Sequence, residues 1–142
     1  MKPASVVVPD ASVLLKWVLE SPDEPDRDRA LNLRAAWLSG SCEIVVPSLW
    51  FFEVGNIVGM KQPSGAAQLM QKLTSYHFEE EPDHAIYEKA FELMKRFKVT
   101  FYDAAYHAVA INHAGTFLSA DEVYVRKTAR AGHIQVLKDW SL

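Results

Sequence analysis

Short apolar, β-branched runs alternate along the chain with longer stretches in which apolar residues recur every three or four positions. That alternation predicts strands interleaved with helices, and hence a parallel α/β sheet. Ser5–Pro9, with three consecutive valines, reads as a first buried strand. A helix is expected over Ser12–Glu20, a break over Ser21-Pro22-Asp23-Glu24-Pro25, and a second helix from about Asp26 to Leu38 that stops near Gly40. Glu43–Val46 reads as a second strand ended by Pro47. Ser48 is the expected N-cap of a helix holding Leu49, Phe52, Glu53, Asn56 and Ile57. Pro63-Ser64-Gly65 breaks it, and another helix runs to about Leu73.

In the second half, Tyr76–Glu79 reads as a short strand. Pro82 and Asp83 open a helix to about Phe97, with Ile86, Ala90, Phe91 and Met94 as its apolar stripe. A further helix is expected from near Tyr102 to Gly115, a C-terminal glycine. Thr116–Leu118, Asp121–Ala131 and Ile134–Leu137 follow as strand, helix and strand.

Composition sharpens this picture. The 142 residues are 49% hydrophobic and 23% charged, which suits one globular domain over 1–142. No apolar stretch approaches the roughly 20 residues a bilayer span needs. Asp10 and Lys16 interrupt any leader-like run, so a cytoplasmic protein with no membrane association is expected. The single cysteine, Cys42, excludes an internal disulfide and a thiolate zinc site, and reads as a small residue before a strand. A net charge of −3 weighs against a surface coated for nucleic acid. Basic groups do cluster locally at Arg27, Arg29 and Arg34, at Lys95, Arg96 and Lys98, and at Arg126, Lys127 and Arg130, where solvated helix faces are the ordinary explanation.

The acids carry the candidate chemistry. Asp10 follows the first strand directly, and Asp121 follows the Thr116–Leu118 strand after two residues. Ligands of open α/β sheets bind outside the carboxyl ends of the strands. Glu53 and Asp103 lie in apolar helical surroundings, where a carboxylate is costly unless paired or bound to a cation. Carboxylates brought together repel, and a divalent cation removes that difficulty; oxygen donors suit Mg²⁺ or Mn²⁺ rather than zinc or copper. Each acid also has an ordinary explanation. Asp10 and Asp121 can cap the helices that follow them, Asp103 can stabilise a helix N-terminus, and Glu53 can face water. Ser12, Asn56 and Ser119 are candidates to orient the acids by hydrogen bonding, with helix capping as the alternative for the serines. None of the five histidines is assigned as a ligand: His77, His84 and His133 lack ligand-like spacing, and His107, one turn after Asp103, and His113 lie on an alanine-rich helix where packing or exposure is the ordinary role. Trp50, Phe51, Phe52, Tyr102 and Tyr106 are suited to stacking on bases, with packing the more ordinary role.

The sequence resembles PIN-domain nucleases, especially the VapC-type toxins of prokaryotic toxin–antitoxin pairs. The resemblance spans essentially the whole chain. It is carried by Val8-Pro9-Asp10-Ala11-Ser12, by Phe52-Glu53-Val54-Gly55-Asn56, by Tyr102-Asp103-Ala104-Ala105-Tyr106 with Ala108 and Ala110, and by Leu118-Ser119-Ala120-Asp121. It implies a three-layer α/β/α sandwich on a central parallel sheet of about five strands. It further implies an acidic metal site at Asp10, Glu53, Asp103 and Asp121, RNA as substrate, a homodimer, and a cognate antitoxin that blocks the site. One or two Mg²⁺ or Mn²⁺ ions are expected, with Asp10 and Asp103 as principal ligands. Two positions depart from the pattern. Ser119 stands where threonine is usual and keeps the hydroxyl. Pro9 lacks an N–H, so a bent or unpaired strand end is expected there.

Other classes fit less well. Aspartyl phosphotransfer through Asp10 wants an acid at position 12, which is serine. A receiver module wants adjacent acids after the first strand and an acceptor Asp after a later one; Pro47 and Ser48 follow Val46. No glycine-rich turn for a dinucleotide follows the first strand. A catalytically inactive PIN-like module that binds RNA or protein is the remaining alternative; loss of acids is its usual sign, and all four are present.

Overall fold

Three consecutive valines, buried from Val7 onward, make strand β1 (Ser5–Pro9) the middle of the sheet. In the computed structural model, residues 4–19 and 24–141 are described. Strands β2 (Cys42–Pro47), β3 (Glu79–Glu81), β4 (Thr116–Ser119) and β5 (Ile134–Val136) complete a five-stranded sheet of order β3-β2-β1-β4-β5. Every pairing is parallel. Parallel strands need crossovers, and the helices supply them. Seven helices are found among the described residues: α1 (Ala11–Val18), α2 (Arg27–Leu38), α3 (Trp50–Lys61), α4 (Ala66–Thr74), α5 (Tyr87–Phe97), α6 (Phe101–Asn112) and α7 (Glu122–Thr128). They flank the sheet as the outer layers of an α/β/α sandwich.

Helix α6 packs across β1, β2 and β4 and is buried from Ala104 to Ala110, with four alanines that let it approach the sheet closely. Helix α1 packs against α2, α3 and β4. Its Trp17 is the centre of an aromatic cluster with Trp37, Tyr76 and Phe78, which extends through Phe78 to Trp50. The Trp17 indole N–H donates to the Ala30 carbonyl at 2.8 Å, so the buried ring leaves no polar group unpaired.

Several elements differ from the sequence expectation. The third strand begins at Glu79, not Tyr76. Tyr76 and Phe78 owe their apolar character to the aromatic cluster, and His77 between them takes a left-handed conformation. The strand itself is three glutamates on the sheet edge, a composition without apolar alternation. Ser48 does not cap α3; Leu49 occupies that place without a side-chain bond, and the Ser48 hydroxyl donates to Asp83 at 2.6 Å. The helix expected from Pro82 is a 3₁₀ turn (Asp83–Ala85) followed by α5. Along α5, Ala90 and Leu93 are buried, whereas Phe91 is exposed and packs on Phe101. Helix α7 gives way to a 3₁₀ turn over Ala129–Ala131.

Helix α6 ends at Asn112, and the left-handed residue after it is Ala114 rather than Gly115. Gly115 serves another purpose. A Cβ there would lie 2.4 Å from the Val6 carbonyl oxygen, so only glycine allows β4 to start so close to β1. Pro9 does not unpair the strand: it sits opposite Leu118, and the next N–H, that of Asp10, donates to the Leu118 carbonyl at 3.1 Å. Residues 20–23, which carry the end of the first expected helix and most of the expected break, lie outside the described residues. No described helix is long and apolar enough to cross a membrane.

Candidate active site

Because β1 and β4 are adjacent and parallel, the residues that leave their carboxyl ends are neighbours. Asp10 leaves β1 and is buried, at 6% exposure. Its Oδ2 accepts from the Ser119 hydroxyl at 2.6 Å, its Oδ1 accepts from the Ser12 hydroxyl, and the Val13 N–H also reaches Oδ1 at 3.3 Å. The two serines are tied in turn to the β4–α7 connection: Ser12 Oγ accepts from the Ala120 N–H and Ser119 Oγ from the Asp121 N–H, each at 3.0 Å. One network therefore fixes Asp10, Ser12, Ser119 and the backbone of Asp121. Asp10 caps α1 and Asp121 caps α7, the latter accepting from Val123 and Tyr124 N–H at 3.0 and 3.2 Å. Capping and membership of the acidic group are thus not alternatives here.

Asp103 stands in the first turn of α6. Thr100 is the N-cap: its hydroxyl accepts from the Asp103 N–H and donates to Asp103 Oδ2, both at 3.3 Å. The Thr100-x-x-Asp103 spacing is a capping-box signal that points to this arrangement from sequence. Glu53, in the first turn of α3, is half-buried and does not simply face water. Its Oε1 accepts from the hydroxyl of Tyr106, a wholly buried residue, at 2.9 Å. From sequence Tyr106 suits stacking or packing, and its place one turn beyond Asp103 is the sign there of something more.

The acids act on one another. Burial pushes the Asp10 carboxyl up to about 6, against the pull of the Ser119 and Ser12 hydroxyls, and the charges of Asp103 and Glu53 push it further. Burial likewise raises Glu53, and Asp103's charge adds to that shift. Asp103 is raised by burial and then by Asp121, while Thr100 opposes both. The structure therefore brings Asp10, Glu53 and Asp103 within electrostatic reach of one another, and Asp121 within reach of Asp103. As the side chains stand, no group of three or more His, Cys, Asp or Glu among the described residues is drawn close enough to hold a metal ion. The donor set fits a hard divalent cation nonetheless. It is made of carboxylates, its most buried member is held by two hydroxyls, and its unrelieved repulsion is what a cation would neutralise.

Asn56 is exposed and lines an open cleft of about 330 Å³ with Phe52, Glu53, Ile57 and Tyr102. Phe52 and Tyr102 are exposed there, whereas Trp50 and Tyr106 are core residues. The histidines stand apart from the acids' hydrogen bonds. His107 is buried between the Tyr124 hydroxyl and the Gly132 carbonyl, and His113 pairs with Glu81. Among the basic residues, Arg29 donates to the Trp140 carbonyl at 2.5 Å, a structural role. Lys127 reaches the Lys98 carbonyl at 3.2 Å, so the second and third basic clusters adjoin. Cys42 is buried as the first residue of β2.

The model of the PIN domain family matches residues 7–130, and the chain belongs to that family. PIN domains are generally nucleases. No curated protein matches the chain in sequence. Two solved structures share the fold. The protein PAE2754 from Pyrobaculum aerophilum is 19% identical, with a TM-score of 0.65 over 96% of this chain and 91% of its own. A toxin–antitoxin complex from Klebsiella pneumoniae is 14% identical, with a TM-score of 0.65 over 96% of this chain and 99% of the matched one.

Proposed function

We propose that the chain is a metal-dependent endoribonuclease of the VapC type, the toxin of a toxin–antitoxin pair, acting in the cytoplasm. The observation that carries the reading is the acidic group itself: burial and neighbouring carboxylates raise the proton affinity of Asp10, Glu53 and Asp103, from three separated segments, and Asp121 from a fourth adds its charge to Asp103. Charges so gathered destabilise a fold that has no use for them. Membership of a nuclease family supplies the reaction class, and the Klebsiella pneumoniae relative in fold supports a protein antitoxin as partner.

Asp10 and Asp103 would be the principal ligands of Mg²⁺ or Mn²⁺, with Glu53 and Asp121 completing the cage directly or through water. A bound divalent cation supplies Lewis acidity, easing deprotonation of the attacking water and neutralising charge on the phosphate. The protein's own groups do the positioning. Ser12 and Ser119 keep both oxygens of Asp10 oriented, and Thr100 does the same for Asp103. Asn56 and the exposed rings of Phe52 and Tyr102 line the approach on the Glu53 side, where unpaired bases would stack. The homodimer belongs to the same reading.

The test is cleavage of labelled single-stranded RNA with Mg²⁺ or Mn²⁺. Asp10→Asn and Asp103→Asn should each lower the rate by more than about a hundredfold, beyond what loss of an outer hydrogen-bond partner costs a metal site. Both variants should remain folded by circular dichroism, and neither should inhibit growth on expression. Wild-type cleavage by either removes that acid from the mechanism. Metal binding without cleavage of any RNA would favour the inactive binding module instead.

A further inference from the structure

Tyr106 joins the two helices that carry Asp103 and Glu53 to the strand that leads to Asp121. Its backbone is on α6, one turn beyond Asp103. Its ring lies against Phe117 of β4, with centroids 5.9 Å apart and planes 16° from parallel. Its hydroxyl donates to Glu53 of α3 at 2.9 Å. The residue is wholly buried, and a buried phenol needs an acceptor; Glu53 is that acceptor. Glu53 has one more rotatable side-chain bond than the three aspartates. It borders the open cleft with Phe52 and Tyr102, and among the described residues the Tyr106 hydroxyl is the donor bonded to it. A phenylalanine at position 106 would fill nearly the same volume against Phe117, so what the hydroxyl adds is the tether.

We propose that Tyr106 is a positioning residue: its hydroxyl holds Oε1 of Glu53 and so fixes where that carboxylate meets the divalent cation of the acidic group, directly or through water. The inference rests on the metal-dependent reading above. Burial and the charge of Glu53 push the phenol's proton affinity up. Fixing a flexible carboxylate before binding reduces the ordering that the cation must impose, the general reason that outer partners strengthen metal sites.

The experiment is calorimetric titration of the full chain, without RNA, with Mn²⁺. Tyr106→Phe should weaken Mn²⁺ binding about 10- to 100-fold, the range measured for outer partners of metal ligands, with an unchanged circular dichroism spectrum. On a Glu53→Gln background the same substitution should alter the affinity by less than about twofold, because the tether then has no charged group to hold. A folded Tyr106→Phe protein with wild-type Mn²⁺ affinity overturns the inference, as does an equal loss on the Glu53→Gln background. Should Tyr106→Phe fail to fold, Glu53→Asp keeps the charge but draws it away from the hydroxyl. Wild-type affinity in that variant also overturns the inference. If the wild-type chain binds no Mn²⁺, the metal reading itself falls and the role of Tyr106 falls with it; unchanged affinity in Tyr106→Phe beside a tightly binding wild type refutes the tether alone.

Discussion

Helices α1 and α3 each belong to two clusters of opposite character. Asp10 caps α1 and Trp17 lies two turns further on; Glu53 is on α3, one turn after Trp50. The aromatic cluster gains from every contact. Trp17 is 1% exposed, packs against the rings of Trp37, Tyr76 and Phe78, and has its N–H satisfied. The acidic cluster gains little from being assembled without a cation, since burial and mutual repulsion both disfavour its charged form. The difference shows how the fold divides its labour. Apolar burial on α1 and α3 supplies the free energy that holds mutually repelling carboxylates near one another.

That division can be broken most forcefully at Trp17. Trp17→Ala should destabilise by about 3–5 kcal/mol, through the cavity it leaves and the unpaired Ala30 carbonyl. The melting temperature should fall on the order of 10 °C, while molecules that remain folded keep their Mn²⁺ affinity. A loss below about 1 kcal/mol would show that the aromatic cluster is not what supports the site.

Asp10→Asn sharpens the contrast, because it should act on stability in the opposite direction. A carboxyl whose folded pKa stands near 6, above its ordinary 3.8, binds its proton more tightly folded than unfolded. Its contribution is therefore complete below about pH 4 and is lost as pH rises toward 6. The metal-free protein should lose on the order of 3 kcal/mol across that window, as judged by urea unfolding at a series of pH values. Asp10→Asn should flatten the slope and melt higher than wild type at pH 7.5 without metal. An unchanged slope would mean that Asp10 is not under electrostatic strain.

The mildest effect expected is the cation's own. Saturating Mn²⁺ should raise the melting temperature, with a stabilisation of about 2.7 kcal/mol at a hundred times its Kd. The increment should be larger at pH 7 than at pH 5, where protons compete for Asp10. Thermal scans at the two pH values give the comparison directly, and an equal increment at both would detach the cation from Asp10.

Legibility in the sequence followed physical locality. Strands β1, β2 and β4 were readable because buried parallel strands are continuous apolar runs, and α2 because its breakers lie close to its ends. The edge strand β3 was not, because an exposed triplet of glutamates carries no apolar signal and the rings before it serve another cluster. Ser48 and Phe91 misled for a related reason. Each has a partner distant in sequence or outside its own helix face, Asp83 for the one and Phe101 for the other.

The four acids and their serines could be marked in advance, since strand ends, helix starts and motif spacing are local properties of a chain. Sequence alone thus determined an alternating α/β architecture and marked the acids as candidates for its chemistry. Only the tertiary structure decided that Asp10 is buried between two hydroxyls, that Tyr106 holds Glu53, and that the acids lie within reach of one another's charge. The reason is that burial and Coulomb energy depend on distances through space, which the order β3-β2-β1-β4-β5 creates between segments that are far apart along the chain.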